Sequence, residues 1–242
     1  MRLSVCPHDI VKQLQSWLAF TAYLQKTLDM HVTLEPVTDF AAFYERSLPQ
    51  AELAFVNPWD AWHLAHDRGF RPLFGTQAFD EVVFIAHPED TEATLDDFAG
   101  QVIAAVDRQF ATALGLYMLR ERGTPAADVL FCPSWVQVIR AVAQRKVRFG
   151  LLYQDFYAGL SRLSCTQFRV VHTSHTGYAT HMLLLHPDRA ALEPRLVQVL
   201  TAMADDPEGA TILRELRLGR WVPGASLDRI GQVLTASGLV TA

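Results

Sequence analysis

The sequence predicts an α/β protein with mixed, mainly parallel sheets flanked by helices. Three observations carry this. Short apolar runs alternate with longer stretches of helical period, the pattern of strands joined by crossover helices. The stretch from Thr38 to Trp62 leads an apolar helix pattern into a short buried run that stops at Asn57-Pro58-Trp59, as a strand does when a helix follows it. And 242 residues, 50% of them apolar, can bury a large core in one big or two small lobes.

The elements follow in order. Strands are expected at Leu3 to Cys6, His31 to Val37 and Leu53 to Val56, then at Val82 to His87, Val102 to Val106, Leu130 to Cys132, Phe149 to Tyr153 and Val170 to His172, with Met182 to Leu185 as a last buried run. After the first strand, Val11, Leu14, Leu18, Leu24 and Leu28 recur near helical spacing, so that face is expected on a sheet. From Trp135 to Lys146 the stripe is Val136, Ile139, Val142 and Ala143. Leu192 to Ala204, Glu208 to Leu216 and Leu227 to Leu234 read as closing helices. No Ser- or Pro-rich linker and no repeat separates two lobes, so extended crossings must join them, near Phe79 to Val83 and His175 to Tyr178.

A formal net charge of -5 without a basic run argues against nucleic acid or an anionic membrane surface as partner. No stretch approaches the roughly 20 apolar residues of a membrane-spanning helix, so no membrane insertion is expected. The opening residues set Asp9, Lys12 and Gln13 in a helical pattern and do not read as a signal peptide. The expected compartment is the periplasm if a leader has been trimmed, and the cytoplasm otherwise. Cys6, Cys132 and Cys165 cannot all pair with one another and match no zinc spacing; they read as mostly buried thiols, with a soft-metal or metalloid role as the alternative.

A series of weak motifs, in order from about Val11 to His186, resembles the phosphate, phosphite and phosphonate substrate-binding proteins of ABC importers. Asp39-Phe40 stands where that family has Asp-Tyr, and Leu95-Asp96-Asp97-Phe98-Ala99-Gly100 is similar to its Leu-x-Asp-Leu-x-Gly turn. Asp107 to Leu114 falls at its Asp-Pro-x-Ser-Thr-Ser-Gly, and Ser134 to Gly150 resembles its later segment of Gly-His followed by spaced Ala and Val. The resemblance implies the two-lobed type 2 periplasmic binding fold, with lobe 1 at 1–79 plus 179–242 and lobe 2 at 80–178. It implies a small ligand held between the lobes by hinge closure, a transporter permease or sensor protein as partner, a monomer, and neither catalysis nor a cofactor.

Ligands of open α/β sheets bind beyond the carboxyl ends of the strands. The candidates there are His8, Phe40, Asn57, Trp59 and Phe79 in the first lobe, and Gln109, Phe110, Thr112, Trp135, Tyr153 and Asp155 in the second. In the resembling family the phosphonate is held by Ser-Thr-Ser hydroxyls and backbone N–H groups at a helix N-terminus, which favours anions. Here those positions read Phe110, Ala111 and Thr112; the family histidine is Trp135, its cleft tyrosines are Phe40 and Phe79, and its aspartate after the Val is Arg148, while Asp155 matches a later acidic position. An aromatic set beside Asp155 suits an organic cation or a flat apolar solute. The alternatives are rings that only fill a core, and anion binding by Arg108, Gln109, Thr112 and His8.

His63 with His66, and the group His172, His175 and His181, raise the question of a metal, but no Cys or carboxylate completes a set at ligand spacing along the sequence, so none is expected. Cys6-Pro7-His8-Asp9 puts a thiol, an imidazole and a carboxylate at one strand end; sequence neighbours seldom form a working triad, so no catalytic residue is assigned. A cytosolic sensor or enzyme on the same scaffold, and a partner-binding relic with a filled cleft, are the competing classes.

Overall fold

A computed structural model describes residues 1–224 and 227–240, so the expected lobe limit at residue 242 lies outside the described residues. The chain divides into two compact units, Met1–Phe79 with Thr180–Leu227, and Asp80–Ala179 with Asp228–Ala242. Unit 1 begins with β1 (Arg2–Val5), α1 (Pro7–Leu28), β2 (Thr33–Leu34), α2 (Phe40–Ala42), β3 (Leu53–Val56), α3 (Pro58–Arg68) and β4 (Arg71–Phe79). Unit 2 follows with β5 (Val82–Ala86), β6 (Val102–Val106), α4 (Phe110–Glu121), β7 (Asp128–Cys132), α5 (Trp135–Ala143), β8 (Phe149–Tyr153), α6 (Gln154–Ala158), α7 (Arg162–Cys165) and β9 (Arg169–Thr173). Then β10 (Thr180–Leu185), α8 (Glu193–Ala202), α9 (Pro207–Glu215) and β11 (Val222–Pro223) complete unit 1, and α10 (Asp228–Ser237) completes unit 2.

The sheet of unit 1 runs β11-β4-β10-β3-β1-β2 and that of unit 2 runs β7-β6-β8-β5-β9. Strands joined by helices pair in parallel, β1 with β2 and β3, and β6 with β7 and β8. Antiparallel pairings come from the strands next to the points where the chain changes unit: β10 on β3 and β4, and β5 on β8 and β9. Both sheets are therefore mixed. β4 was not foreseen as a full strand because Pro72, Gly75 and Gln77 interrupt its apolar pattern. β11, two residues long and containing Pro223, offers no readable period.

Pro7 opens α1 at a position where a missing N–H costs nothing. The backbone leaves helical geometry at Gln13 (φ -143°), and beyond it Trp17, Phe20, Leu24 and Leu28 face the core. Of the expected stripe, Leu24 and Leu28 are buried and Leu14 packs on the core, but Val11 and Leu18 lie exposed, one position out of phase with the buried Ile10 and Trp17. In α5 the buried face is Trp135, Val138, Ile139 and Val142, and Val136 is exposed for the same reason of phase. The cysteines also differ from expectation, since only Cys6 is buried and Cys132 and Cys165 are partly exposed.

The core of unit 1 is ring-rich: Trp17 packs 4.8 Å from Phe55 and edge-on to Phe20, and Trp221 meets Phe20, Phe55 and Phe74. In unit 2, Phe98 stacks on Phe149 at 4.1 Å, and Gly115 lets α4 lie close on β8, where a Cβ would come within 2.7 Å of Leu151. The helix read at Leu227 to Leu234 was expected in lobe 1, but as α10 it belongs to unit 2. Its buried Ile230, Val233 and Leu234 form an i, i+3, i+4 face, it packs on α4, and Arg229 lies 4.1 Å over the Tyr178 ring. Glu81, itself buried, ties down the segment before β10: its carboxylate accepts from the Ser174 hydroxyl and from the backbone N–H groups of Thr176 (2.6 Å) and Gly177 (2.7 Å).

Candidate functional site

The end of β1 and the first turn of α1 bring four ionisable side chains together in unit 1. The Cys6 N–H donates to the Phe55 carbonyl at 3.0 Å, which locks the strand end onto β3. Cys6 Sγ lies 3.3 Å from His8 Nδ1, and His8 Nε2 lies 3.3 Å from Asp9 Oδ1. The other Asp9 oxygen is 3.6 Å from Nε2 of His181, which β10 delivers; the His8 and His181 rings meet edge-on at 5.1 Å. The side chains of His8 and His181 are 8% and 6% exposed. Burial, then the nearby His181 and Lys12, push the His8 imidazole well below its ordinary pKa.

A second polar knot forms at the end of β3. Asn57 caps α3: its Oδ1 accepts the Trp59 N–H at 2.8 Å, and its amide donates to Asp60 Oδ2 at 2.7 Å. The Tyr44 hydroxyl donates to the same oxygen at 3.3 Å, and the Tyr44 ring stacks on Phe40. Asp39 accepts the Ala42 N–H and so starts α2 at Phe40. Three of the expected residues, Phe40, Asn57 and Trp59, are thus linked through Tyr44 and Asp60. Tyr44 lies in a π-helical turn, residues 43–47, whose period is not that of an α-helix, and Asp60 stands in the first turn of α3, where an acidic residue reads as a helix start. Phe79, at the end of β4, is 52% exposed.

In unit 2 the expected residues are less open. Gln109, Phe110 and Thr112 at the start of α4 are all buried, and Phe110 is among the most fully enclosed side chains. Thr112 donates its hydroxyl to the Val106 carbonyl at 2.7 Å, so the one hydroxyl that matches the family pattern has its proton committed to the backbone. Trp135 opens α5 after the Ser134 cap; its ring lies 6.4 Å from Phe156 and its buried indole N–H meets no acceptor among the described residues. The Tyr153 hydroxyl donates to Asp80 at 3.4 Å, and Asp155 sits in the first turn of α6. Arg148 pairs with Asp90 at 3.1 Å and lies over the Phe149 ring.

The other histidines separate. His63 pairs with Asp67 at 3.0 Å, His66 stacks on Trp62 at 4.2 Å, and His172 and His175 are exposed. His181 alone of that last group is buried, and the fold gives it the thiol and carboxylate that no spacing along the sequence supplied.

The family model of the ABC transporter, phosphonate, periplasmic substrate-binding protein matches residues 3–228. The chain belongs to this family of transport binding proteins. No curated protein matches it by sequence. Among solved structures it is similar to a Prochlorococcus marinus protein in complex with methylphosphonate, at 13% identity and a TM-score of 0.79 over 99% of this chain and 98% of that one. A Xanthomonas citri protein bound to chloride gives 17%, 0.77, and 99% and 97%. The alkanesulfonate-binding protein of Xanthomonas axonopodis pv. citri bound to MOPS gives 14%, 0.65, and 98% and 83%. These likenesses show the fold, the type 2 periplasmic binding fold with its two mixed sheets flanked by helices. Among the described residues no helix is long and apolar enough to cross a membrane.

Proposed function

We propose that this chain is the periplasmic solute-binding component of an ABC importer, acting by binding and hinge closure rather than by turnover, and that its solute is held mainly by aromatic side chains. The family match over residues 3–228 carries the transport role. The altered specificity is supported by Thr112, whose hydroxyl proton goes to Val106, and by Phe110, which is enclosed where the family pattern has a hydroxyl. Phe40, Trp59, Phe79, Trp135 and Tyr153 supply the rings, Asn57 and Asp155 the polar contacts, and the Trp135 indole N–H a buried donor. Such a site favours an organic cation or a flat solute over a tetrahedral anion, each desolvated cation–π contact contributing about 0.5–2 kcal/mol. Bound solute stabilises the closed arrangement only by contacts it does not make in the open one, and the permease reads that closed form.

A thermal-shift screen over methylphosphonate, phosphate, alkanesulfonates, quaternary amines and small carboxylates tests this. A ligand at 100 times its dissociation constant stabilises by about 2.7 kcal/mol. Quaternary amines or planar solutes are expected to shift the midpoint, and Trp135→Ala to abolish that shift. Methylphosphonate binding more tightly than every other compound would show that the family chemistry is retained.

A further inference from the structure

We propose that Cys6, His8, Asp9 and His181 form a binding site for one divalent cation of the zinc type, built wholly within unit 1. Each residue offers one donor atom, and the four lie within 4.8 Å of one another. It is the one such group of three or more His, Cys, Asp or Glu donors among the described residues. The donor set is a thiol sulfur, two imidazole nitrogens and a carboxylate oxygen, the composition of tetrahedral zinc centres.

The distances fit a small ion. With metal–nitrogen and metal–sulfur bonds of about 2.0 and 2.3 Å, the donors of a tetrahedral site sit roughly 3.3–3.8 Å apart. Cys6 Sγ to His8 Nδ1 at 3.3 Å and Asp9 Oδ2 to His181 Nε2 at 3.6 Å already fall in that range. Binding requires the widest pair, no more than 4.8 Å apart, to move inward.

Charge balance points the same way. A buried divalent ion is tolerated only where anionic donors offset it, and one thiolate with one carboxylate does so while the two imidazoles stay neutral. A helix N-terminus also favours anionic donors, and Cys6 stands at the cap position of α1 with Asp9 in its first turn. Soft thiolate and imidazole donors select zinc, cobalt and similar ions over magnesium and calcium. The scaffold is stiff. Three ligands come from one strand-to-helix turn and the fourth from β10, which is paired with β3 in register from Met182 to Leu185.

The test uses the full chain stripped of metal by a chelator and titrated with Co2+. One equivalent is expected to bind, with a thiolate-to-cobalt charge-transfer band that excess Zn2+ removes. Cys6→Ser should abolish the band, whereas Cys165→Ser leaves it. His181→Ala should weaken cobalt binding at least ~100-fold, since loss of a ligand exceeds what outer hydrogen-bond partners cost. Circular dichroism of each metal-free variant confirms folding, and His181→Ala decides the matter if Cys6→Ser does not fold. Absence of the band, or its survival in Cys6→Ser, would overturn the site and leave a Cys-His-Asp hydrogen-bonded array in its place. The cobalt band reports on this site whether or not the chain binds any solute, so it stands or falls apart from the transport reading.

Discussion

The starts of α1 and α4 occupy equivalent places in the two units. Each follows the middle strand of a parallel trio, β1 between β2 and β3, and β6 between β7 and β8. Their chemistry is opposite. At α1 the turn carries Cys6, His8 and Asp9 and gathers His181. At α4 the turn carries Phe110 and Ala111, both buried, and points its hydroxyl back at Val106. The same backbone feature that favours an anion is thus lined with ionisable groups in unit 1 and sealed with apolar ones in unit 2. Topology provides the place, and side chains decide whether any chemistry happens there.

The sharpest way to break this comparison is Phe110→Ala. If α4 begins in a sealed core, removing the ring leaves a cavity and unit 2 loses about 3–5 kcal/mol, read from the midpoint of urea unfolding. A small loss, below about 1 kcal/mol, would mean that the ring faces open space. Next comes Asn57→Ala in unit 1, which deletes the α3 cap and the amide bond to Asp60. The expected cost is about 2 kcal/mol by the same measurement.

Thr112→Val should cost about 1 kcal/mol, because only the bond to the Val106 carbonyl is lost, and should leave the affinity for every oxyanion in a calorimetric titration unchanged. Loss of oxyanion binding in that variant would place the hydroxyl on the ligand. The smallest effect concerns acid stability. Burial raises the Glu52 carboxyl, but the Arg189 side chain and the Arg2 backbone N–H outweigh it and hold its pKa below the ordinary value. Its contribution is present above the unfolded value of about 4.3 and fades as pH falls through the lowered folded one. Glu52→Gln should flatten that acid limb of the stability curve.

The strands linked by helices could be read because their apolar runs are bounded by clear breaks, as at Asn57-Pro58. β4 could not, since Pro72 and Gly75 hide its period, and in α1 Leu24 and Leu28 were placed on the buried face but Val11 and Leu18 were taken for it in place of their buried neighbours Ile10 and Trp17. At the candidate site, Asn57 and Trp59 were legible as a strand end followed by a helix. The link from His181 to Cys6, His8 and Asp9 was not. It depends on β10 running antiparallel beside β3, a long-range pairing that local pattern does not encode.

Neither unit is one uninterrupted run of sequence, because residues 180–227 finish the first and α10 finishes the second. During synthesis the ribosome must therefore release the chain to about residue 227 before either half can close its core. Until then the apolar side of α4 that α10 will cover stays open to solvent, a hazard of misassembly that falls to chaperones or to a delay in final folding.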